Sequence, residues 1–388
     1  MGECTIDHNF DELDLLELLD LGDEWGVDLQ GIKTVESCRE RLELHKRKEE
    51  NKQFFKFNQE QFKSINQEYG DKTKAIIELL KKVRTSLGSS LKPVASILKA
   101  GNISDDLNED FDQHIKDLES RECCLVFAGE TSSGKSSLLN LVLGMDILPT
   151  HALSCTFIIC KLKYSKSYGS KILYNDGTTK EFQYETSELA KISLNEKIFE
   201  TNHQNRDTES RIKEIEIYLP AVILQTGITI VDTPGFGENN TLNDKVVRFI
   251  SSSSITGFIY LIRTDTGGGV EEDRLLDFLR EIQKLRTRNS ITKMGDAMNN
   301  SGSMFICNRW DIVRDDQKET VKANAISKLM DVWPGLKQSQ VEFFSTEDAA
   351  KHANIDRDYI TQDFADLLKK LLTIIRTALD TRVKQHYL

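Results

Sequence analysis

Between Gly129 and Ser137 the chain reads Gly-Glu-Thr-Ser-Ser-Gly-Lys-Ser-Ser. The pattern G-x-x-x-x-G-K-[ST] is met at every position, and it allows very few folds. Its glycines let main-chain N–H groups turn inward on phosphate oxygens, and the helix behind it aims the positive end of its dipole at the same point. That geometry needs a strand before the loop and a helix after it. The apolar run Cys124-Leu125-Val126-Phe127 and the run Ser136-Ser137-Leu138-Leu139-Asn140-Leu141 supply them. The stretch is expected to line a nucleotide with Gly129, Glu130, Thr131, Ser132, Ser133, Gly134, Lys135, Ser136 and Ser137. Lys135 would reach the β- and γ-phosphates, and the Ser136 hydroxyl would ligate Mg2+.

The surrounding pattern fits that requirement. From residue 121 short apolar segments alternate with helical ones, as in a mostly parallel sheet. Strands are expected at 123–128, 157–164, 213–219, 227–231, 257–263, 303–307 and 341–344, with Asn175-Asp176-Gly177 as a hairpin turn. The fold class this predicts is α/β: a doubly wound, mostly parallel P-loop NTPase sheet with flanking helices. An N-terminal helical region and a C-terminal helix would add a partial bundle. Domain limits are placed at 1–48 for a small helical hairpin, 49–120 for linker helices, 121–350 for the nucleotide domain and 351–388 for an amphipathic helix on the linker helices. Phe364, Leu367, Leu368, Leu371, Ile375 and Leu379 share one face of that last helix.

Two further loops are expected at strand ends. Asp232-Thr233-Pro234-Gly235 follows Ile228-Thr229-Ile230-Val231, which sets Asp232 at the carboxyl end of a strand, where open α/β sheets bind ligands. An acid there holds Mg2+ through water, and the Gly235 N–H can meet a γ-phosphate. Asn308-Arg309-Trp310-Asp311 follows Met304-Phe305-Ile306-Cys307 and matches the guanine-reading N-K-x-D pattern with Arg309 in place of Lys. Asp311 can accept from guanine N1–H and the 2-amino group, which adenine does not offer, and Arg309 can cover the base plane. Ser345, after Phe343-Phe344, is expected to aim its main-chain N–H at guanine O6. GTP and GDP are the ligands this set predicts.

Composition limits the partners. A formal net charge of -11 argues against a chain-wide basic surface for nucleic acid or anionic lipid. The seven cysteines form no CxxC pair and suggest reduced structural thiols in an intracellular, cytoplasmic or nuclear setting. No apolar run reaches the length of a membrane helix and no signal-peptide core is present, so membrane contact would come only through a partner or a peripheral surface. Residues 25–34 resemble the helix-turn-helix of SAP-type DNA-binding modules, but the acidic helix before them favours a hairpin that packs or binds protein.

The four loops, in this order, resemble the dynamin superfamily of large GTPases over residues 121–350. The Asn308-Arg309-Trp310-Asp311 form is similar to the mitofusin branch and its bacterial dynamin-like relatives. The resemblance implies that Thr156, seven residues after Pro149, is the switch threonine that ligates Mg2+ and positions the attacking water. It further implies that Thr131 and Ser132 stand where the family uses early phosphate-loop side chains, and that the domain self-associates across the nucleotide. Catalysis would then rest on Ser132, Lys135, Thr156 and Gly235, with Ser136, Thr156 and Asp232 around the metal. The family continues into a long helical stalk, whereas the sequence reaches Leu388 just after one helix. Mg2+-dependent hydrolysis of GTP is the leading expectation. A nucleotide-regulated binding module with little turnover is the alternative.

Overall fold

The computed structural model describes residues 10, 13–29, 32, 34–90, 111–116, 118–119, 123–150, 158–195, 212–236, 246–250, 255–264, 278–280, 302–333, 335–355 and 361–384. At its centre are β1 (Cys123–Gly129), β6 (Ile228–Asp232), β7 (Ile255–Arg263) and β8 (Ser303–Asn308), buried almost throughout. Strands covered on both faces read as unbroken apolar runs, and these four do. Around them lie β2 (Ile159–Tyr164), β3 (Tyr168–Tyr174), β4 (Thr179–Tyr184), β5 (Ile212–Leu219) and β9 (Val341–Phe343). The sheet order is β4-β3-β5-β2-β6-β1-β7-β8-β9. Pairings of β1 with β6 and β7, of β7 with β8, of β8 with β9 and of β2 with β5 are parallel. Those of β2 with β6 and of β3 with β4 and β5 are antiparallel. Every strand expected from the sequence is present.

The β3–β4 hairpin turns at Asn175-Asp176-Gly177, as the sequence predicts. Gly177 takes φ 83°, and Asp176 accepts from the Thr178 N–H at 2.8 Å. Next to it β5 alternates, with Ile215, Ile217 and Leu219 buried on one face. Its other face carries a half-buried charge ladder. Lys161 pairs with Glu214 at 3.1 Å, Lys163 with Glu216 at 2.6 Å and Lys171 with Glu181 at 2.9 Å. A one-residue slip would send those charges into the apolar face, so the ladder fixes register.

Among the helices are α1 (Leu15–Trp25), α2 (Val35–Ser90), α3 (Lys135–Leu143), α4 (Ser187–Leu194), α5 (Asp315–Val332), α6 (Thr346–Ile355) and α7 (Gln362–Lys384). Asp14 and Glu17 form a capping box at the start of α1, and Gly26 ends it at φ 68°. A small core of Phe10, Leu18, Leu21, Leu29, Cys38 and Leu42 joins α1 to the first turns of α2. The boundary placed at 48/49 falls inside α2, which is one helix of 56 residues. Phe62, Ile65, Tyr69 and Ile76, on both sides of Gly70, pack into the same core as the sheet, and this burial outweighs the helix penalty of the glycine. The boundary placed at 350/351 likewise falls inside α6.

α7 packs on α2 and also directly on β1 and β7. Gly257 on β7 permits this close layer: a Cβ there would meet Leu125 Cδ1 at 2.6 Å and Ile374 Cγ2 at 3.5 Å. Leu367, Leu371 and Ile375 are fully buried, each at roughly 2 kcal/mol of transfer free energy. Set against a typical domain stability of about 5 to 15 kcal/mol, α7 is part of the α/β core and not an appended tail. On the opposite face, Trp333 stacks on Phe258 at 6.0 Å, and Tyr260, Phe278 and Phe305 complete an aromatic layer.

Candidate nucleotide-binding site

After β1 the chain passes to β2 on one side of it, while β6 is followed by β7 on the other, which makes the carboxyl end of β1 a topological switch point. The loop Gly129–Ser136 starts there. Gly129 takes φ 152°, and a Cβ on it would meet the Leu261 carbonyl oxygen at 2.4 Å. Gly134 takes φ 90°, and a Cβ there would meet Asn308 Nδ2 at 2.4 Å. Both positions are closed to any side chain. Ser132 also has a positive φ, 59°, which curls the loop. Lys135 opens α3 and is buried, its ammonium donating to the carbonyls of Gly129 at 3.1 Å and Glu130 at 2.8 Å. The hydroxyls of Thr131 and Ser133 are buried without a hydrogen-bond partner among the described residues.

Asp232 ends β6 fully buried, accepting from the Ser136 hydroxyl at 3.1 Å through Oδ2. Its Oδ1 has no hydrogen-bond partner among the described residues. Burial pushes the carboxyl up to about 6, against the opposing pull of the Lys135 ammonium and the Ser136 hydroxyl. A buried carboxylate oxygen without a donor, beside a serine hydroxyl, suits a hard cation that takes oxygen ligands. Among the described residues no group of three His, Cys, Asp or Glu gathers elsewhere. A serine–aspartate pair completed by phosphates is the arrangement Mg2+ takes in phosphoryl-transfer sites.

Beyond Asp232, Thr233 donates to the Phe127 carbonyl at 3.0 Å, and Gly235 lies on the phosphate loop. A Cβ on Gly235 would meet Thr131 Oγ1 at 2.4 Å. The switch threonine expected at Thr156 lies outside the described residues. The segment leading toward it is fixed at its start by Asn140, whose carboxamide donates to the Leu148 carbonyl at 2.8 Å and accepts from the Leu148 N–H at 2.8 Å.

The base-reading loops converge from β8 and β9. Asn308 is buried; its Nδ2 donates to the Ser133 carbonyl at 2.7 Å, and its Oδ1 accepts from the Thr346 N–H at 3.0 Å and hydroxyl at 2.9 Å. Arg309, at φ 64°, reaches over to the Ser132 carbonyl at 2.9 Å. Asp311 is exposed and accepts from the Ser345 hydroxyl at 2.5 Å. Ser345 Oγ in turn accepts from the Asp348 N–H at 3.1 Å at the start of α6. The structure therefore brings the loop Gly129–Ser136 together with Asp232, Gly235, Asn308 and Arg309, and joins Asp311 to Ser345. It also adds Thr346, whose place in the site depends on the parallel pairing of β8 with β9 and leaves no motif in the sequence.

Residues 125–292 match the profile of the dynamin family. Among curated proteins, a stretch of 219 residues is 31% identical to Dynamin-like protein 2 of Campylobacter jejuni, covering 52% of this chain and 34% of that protein. Over 268 residues it is 24% identical to the Bacterial dynamin-like protein of Nostoc punctiforme, covering 65% of this chain and 35% of that one. A solved structure of an oligomerised bacterial dynamin pair, described as a mechanism for long-range sensing and tethering of membranes, aligns at TM-score 0.46 and 23% identity. That alignment covers 72% of this chain and 39% of the other. The chain thus spans about a third of the length of these curated relatives.

Proposed function

We propose, from the match of residues 125–292 to the dynamin family profile, that the chain binds GTP with Mg2+ and hydrolyses it to GDP and phosphate. The observation that carries this is Asp232: a fully buried carboxylate, one oxygen on Ser136 and the other without a donor among the described residues, at the foot of a complete phosphate loop. Ser136 and Asp232 would hold the ion, with Thr156 as the proposed third contact. The ion would neutralise charge developing on the β- and γ-phosphates. The main chain of Gly129–Ser136 would cradle the phosphates, and Lys135 would exchange its loop carbonyls for phosphate oxygens. Gly235, pressed on Thr131, is placed to offer its N–H to the γ-phosphate. Catalysis would rest on positioning and fixed charge, not on a covalent intermediate.

Asp311, held by Ser345, would accept from the guanine edge, and Arg309 would cover the base. The Asn308-Arg309-Trp310-Asp311 form supports a place near the mitofusin branch. Thr131, whose buried hydroxyl lies beside Gly235, and the exposed Ser132 next to it support catalysis completed by a second copy across the nucleotide. Cys38, Cys123, Cys160 and Cys307 are buried thiols, which supports a reducing, intracellular setting. No helix among the described residues is long and apolar enough to cross a membrane.

Phosphate release from GTP with Mg2+, measured for wild type and Lys135→Ala, tests the reading. Turnover by wild type alone is expected, with a rate per molecule that rises with protein concentration. Equal release by both proteins would refute it. The alternative, a nucleotide-regulated binding module, predicts GTP binding with no release from either.

A further inference from the structure

Phe236 belongs to two parts of the molecule at once. Its N–H donates to the Gly129 carbonyl at 3.0 Å, and its own carbonyl accepts from the Thr131 N–H at 3.3 Å. The residue thereby forms an isolated parallel bridge with Glu130. Its ring leaves the phosphate loop and lies 4.3 Å, centroid to centroid, from the ring of Phe278. Phe278 is fully buried and packs in turn on Tyr260 of β7 at 5.4 Å.

Two ordinary main-chain hydrogen bonds oppose the conformational freedom of a whole segment only weakly. The ring's seat in the aromatic layer supplies the remaining hold. Immediately before it, Gly235 is confined from the other side, since a Cβ there would meet Thr131 Cα at 2.7 Å. Gly235 is therefore fixed between the phosphate loop and the anchor that follows it.

We propose that Phe236 is a positioning residue for hydrolysis: its ring, seated on Phe278, holds Gly235 against the phosphate loop where the Gly235 N–H meets the γ-phosphate. The inference rests on the reading of the chain as a Mg2+-dependent GTPase. It has a consequence that loop stability alone would not produce. GDP lacks the phosphate that Gly235 meets, so loosening the anchor should cost turnover and spare GDP affinity. An error of about 1 Å in such a group can cost up to about a hundredfold in rate.

The test uses the full chain and measures kcat for GTP alongside the Kd of fluorescent GDP. Phe236→Ala should lose about tenfold or more in kcat with GDP affinity kept within about threefold. Phe236→Leu, which refills the seat, should recover most of the rate. Phe278→Leu, on the buried side of the same ring contact, should reproduce the selective loss, and it carries the test if Phe236→Ala does not fold. Unchanged kcat in folded Phe236→Ala, or a parallel loss of kcat and GDP affinity in both Phe236→Ala and Phe278→Leu, would overturn the proposal while wild type remains active. A silent wild type that still binds GDP would overturn the hydrolase reading first, and the proposal with it.

Discussion

The carboxamide of Asn308 donates to the main-chain carbonyl of Ser133 at 2.7 Å, joining a base-reading loop to the phosphate loop across 175 residues of chain. The other end of the same group accepts twice from Thr346. Asn308→Ala would leave three buried polar groups without partners, each costing about 1 to 3 kcal/mol. We expect a loss of roughly 3 kcal/mol in denaturant unfolding and weaker binding of GDP and GTP alike. A midpoint unchanged from wild type would contradict the linking role.

Ser345 acts on Asp311 through its hydroxyl. Without that donor the carboxylate loses the bond that orients it, at a cost of about 1 kcal/mol for such a charge-assisted contact. Ser345→Ala should therefore weaken GTP binding several-fold and leave the weak binding of ATP unchanged, measured by competition against fluorescent GDP. A parallel loss for both nucleotides would indicate damage to the start of α6 instead, because Ser345 also accepts from the Asp348 N–H.

Asp232 makes stability in the absence of metal sensitive to pH. Its carboxyl stands raised from 3.8 to about 6, so the folded state holds this proton more tightly than the unfolded chain. The stability that follows is fully present below about pH 4 and is lost as pH rises through about 6. At pH 7.5 without metal, Asp232→Asn should raise unfolding free energy by on the order of 2 kcal/mol, and the gain should shrink toward pH 5. The same substitution should abolish Mg2+-dependent turnover. A variant less stable than wild type at pH 7.5 would disprove the burial penalty.

Ser133 offers the opposite kind of test. Its carbonyl serves Asn308, but its hydroxyl is buried with no partner among the described residues. Ser133→Ala should stabilise the protein by about 1 kcal/mol and leave GDP affinity unchanged. A clear loss of affinity would show that the hydroxyl meets the nucleotide.

How much of this was legible depended on whether the signal was contiguous. Gly129 to Ser136, Asp232 and Asn308 to Asp311 each sit in a short motif after an apolar strand, and each lies where the strand pattern placed it. The hairpin at Asn175-Asp176-Gly177 was legible for the same reason: a positive φ is demanded at Gly177. The continuity of α2 was not, because Gly70 and a long polar run suggest a break that tertiary burial of Ile65 and Ile76 overrides. The hydroxyl role of Ser345 was hidden as well. The sequence pointed to a main-chain N–H, whereas the bond to Asp311 exists only once β8 and β9 lie side by side. Phe236 gave no signal, since its bridge pairs a residue beyond β6 with one beyond β1.

Ser132 and Arg309 are the two non-glycine residues with positive φ among those described, and they are bonded to each other. Each conformation costs an L-residue about 1 to 2 kcal/mol relative to the right-handed region. The chain could shed both costs by placing glycine at either position, yet glycine would remove the hydroxyl from one and the guanidinium from the other. Valine, isoleucine or threonine would fit neither. The two positions are thus confined to a narrow set of residues by backbone shape alone, before any nucleotide is considered. Sequence drift here should run through asparagine, aspartate or glycine, and an engineer seeking a more stable form would find the gain at these positions inseparable from the site.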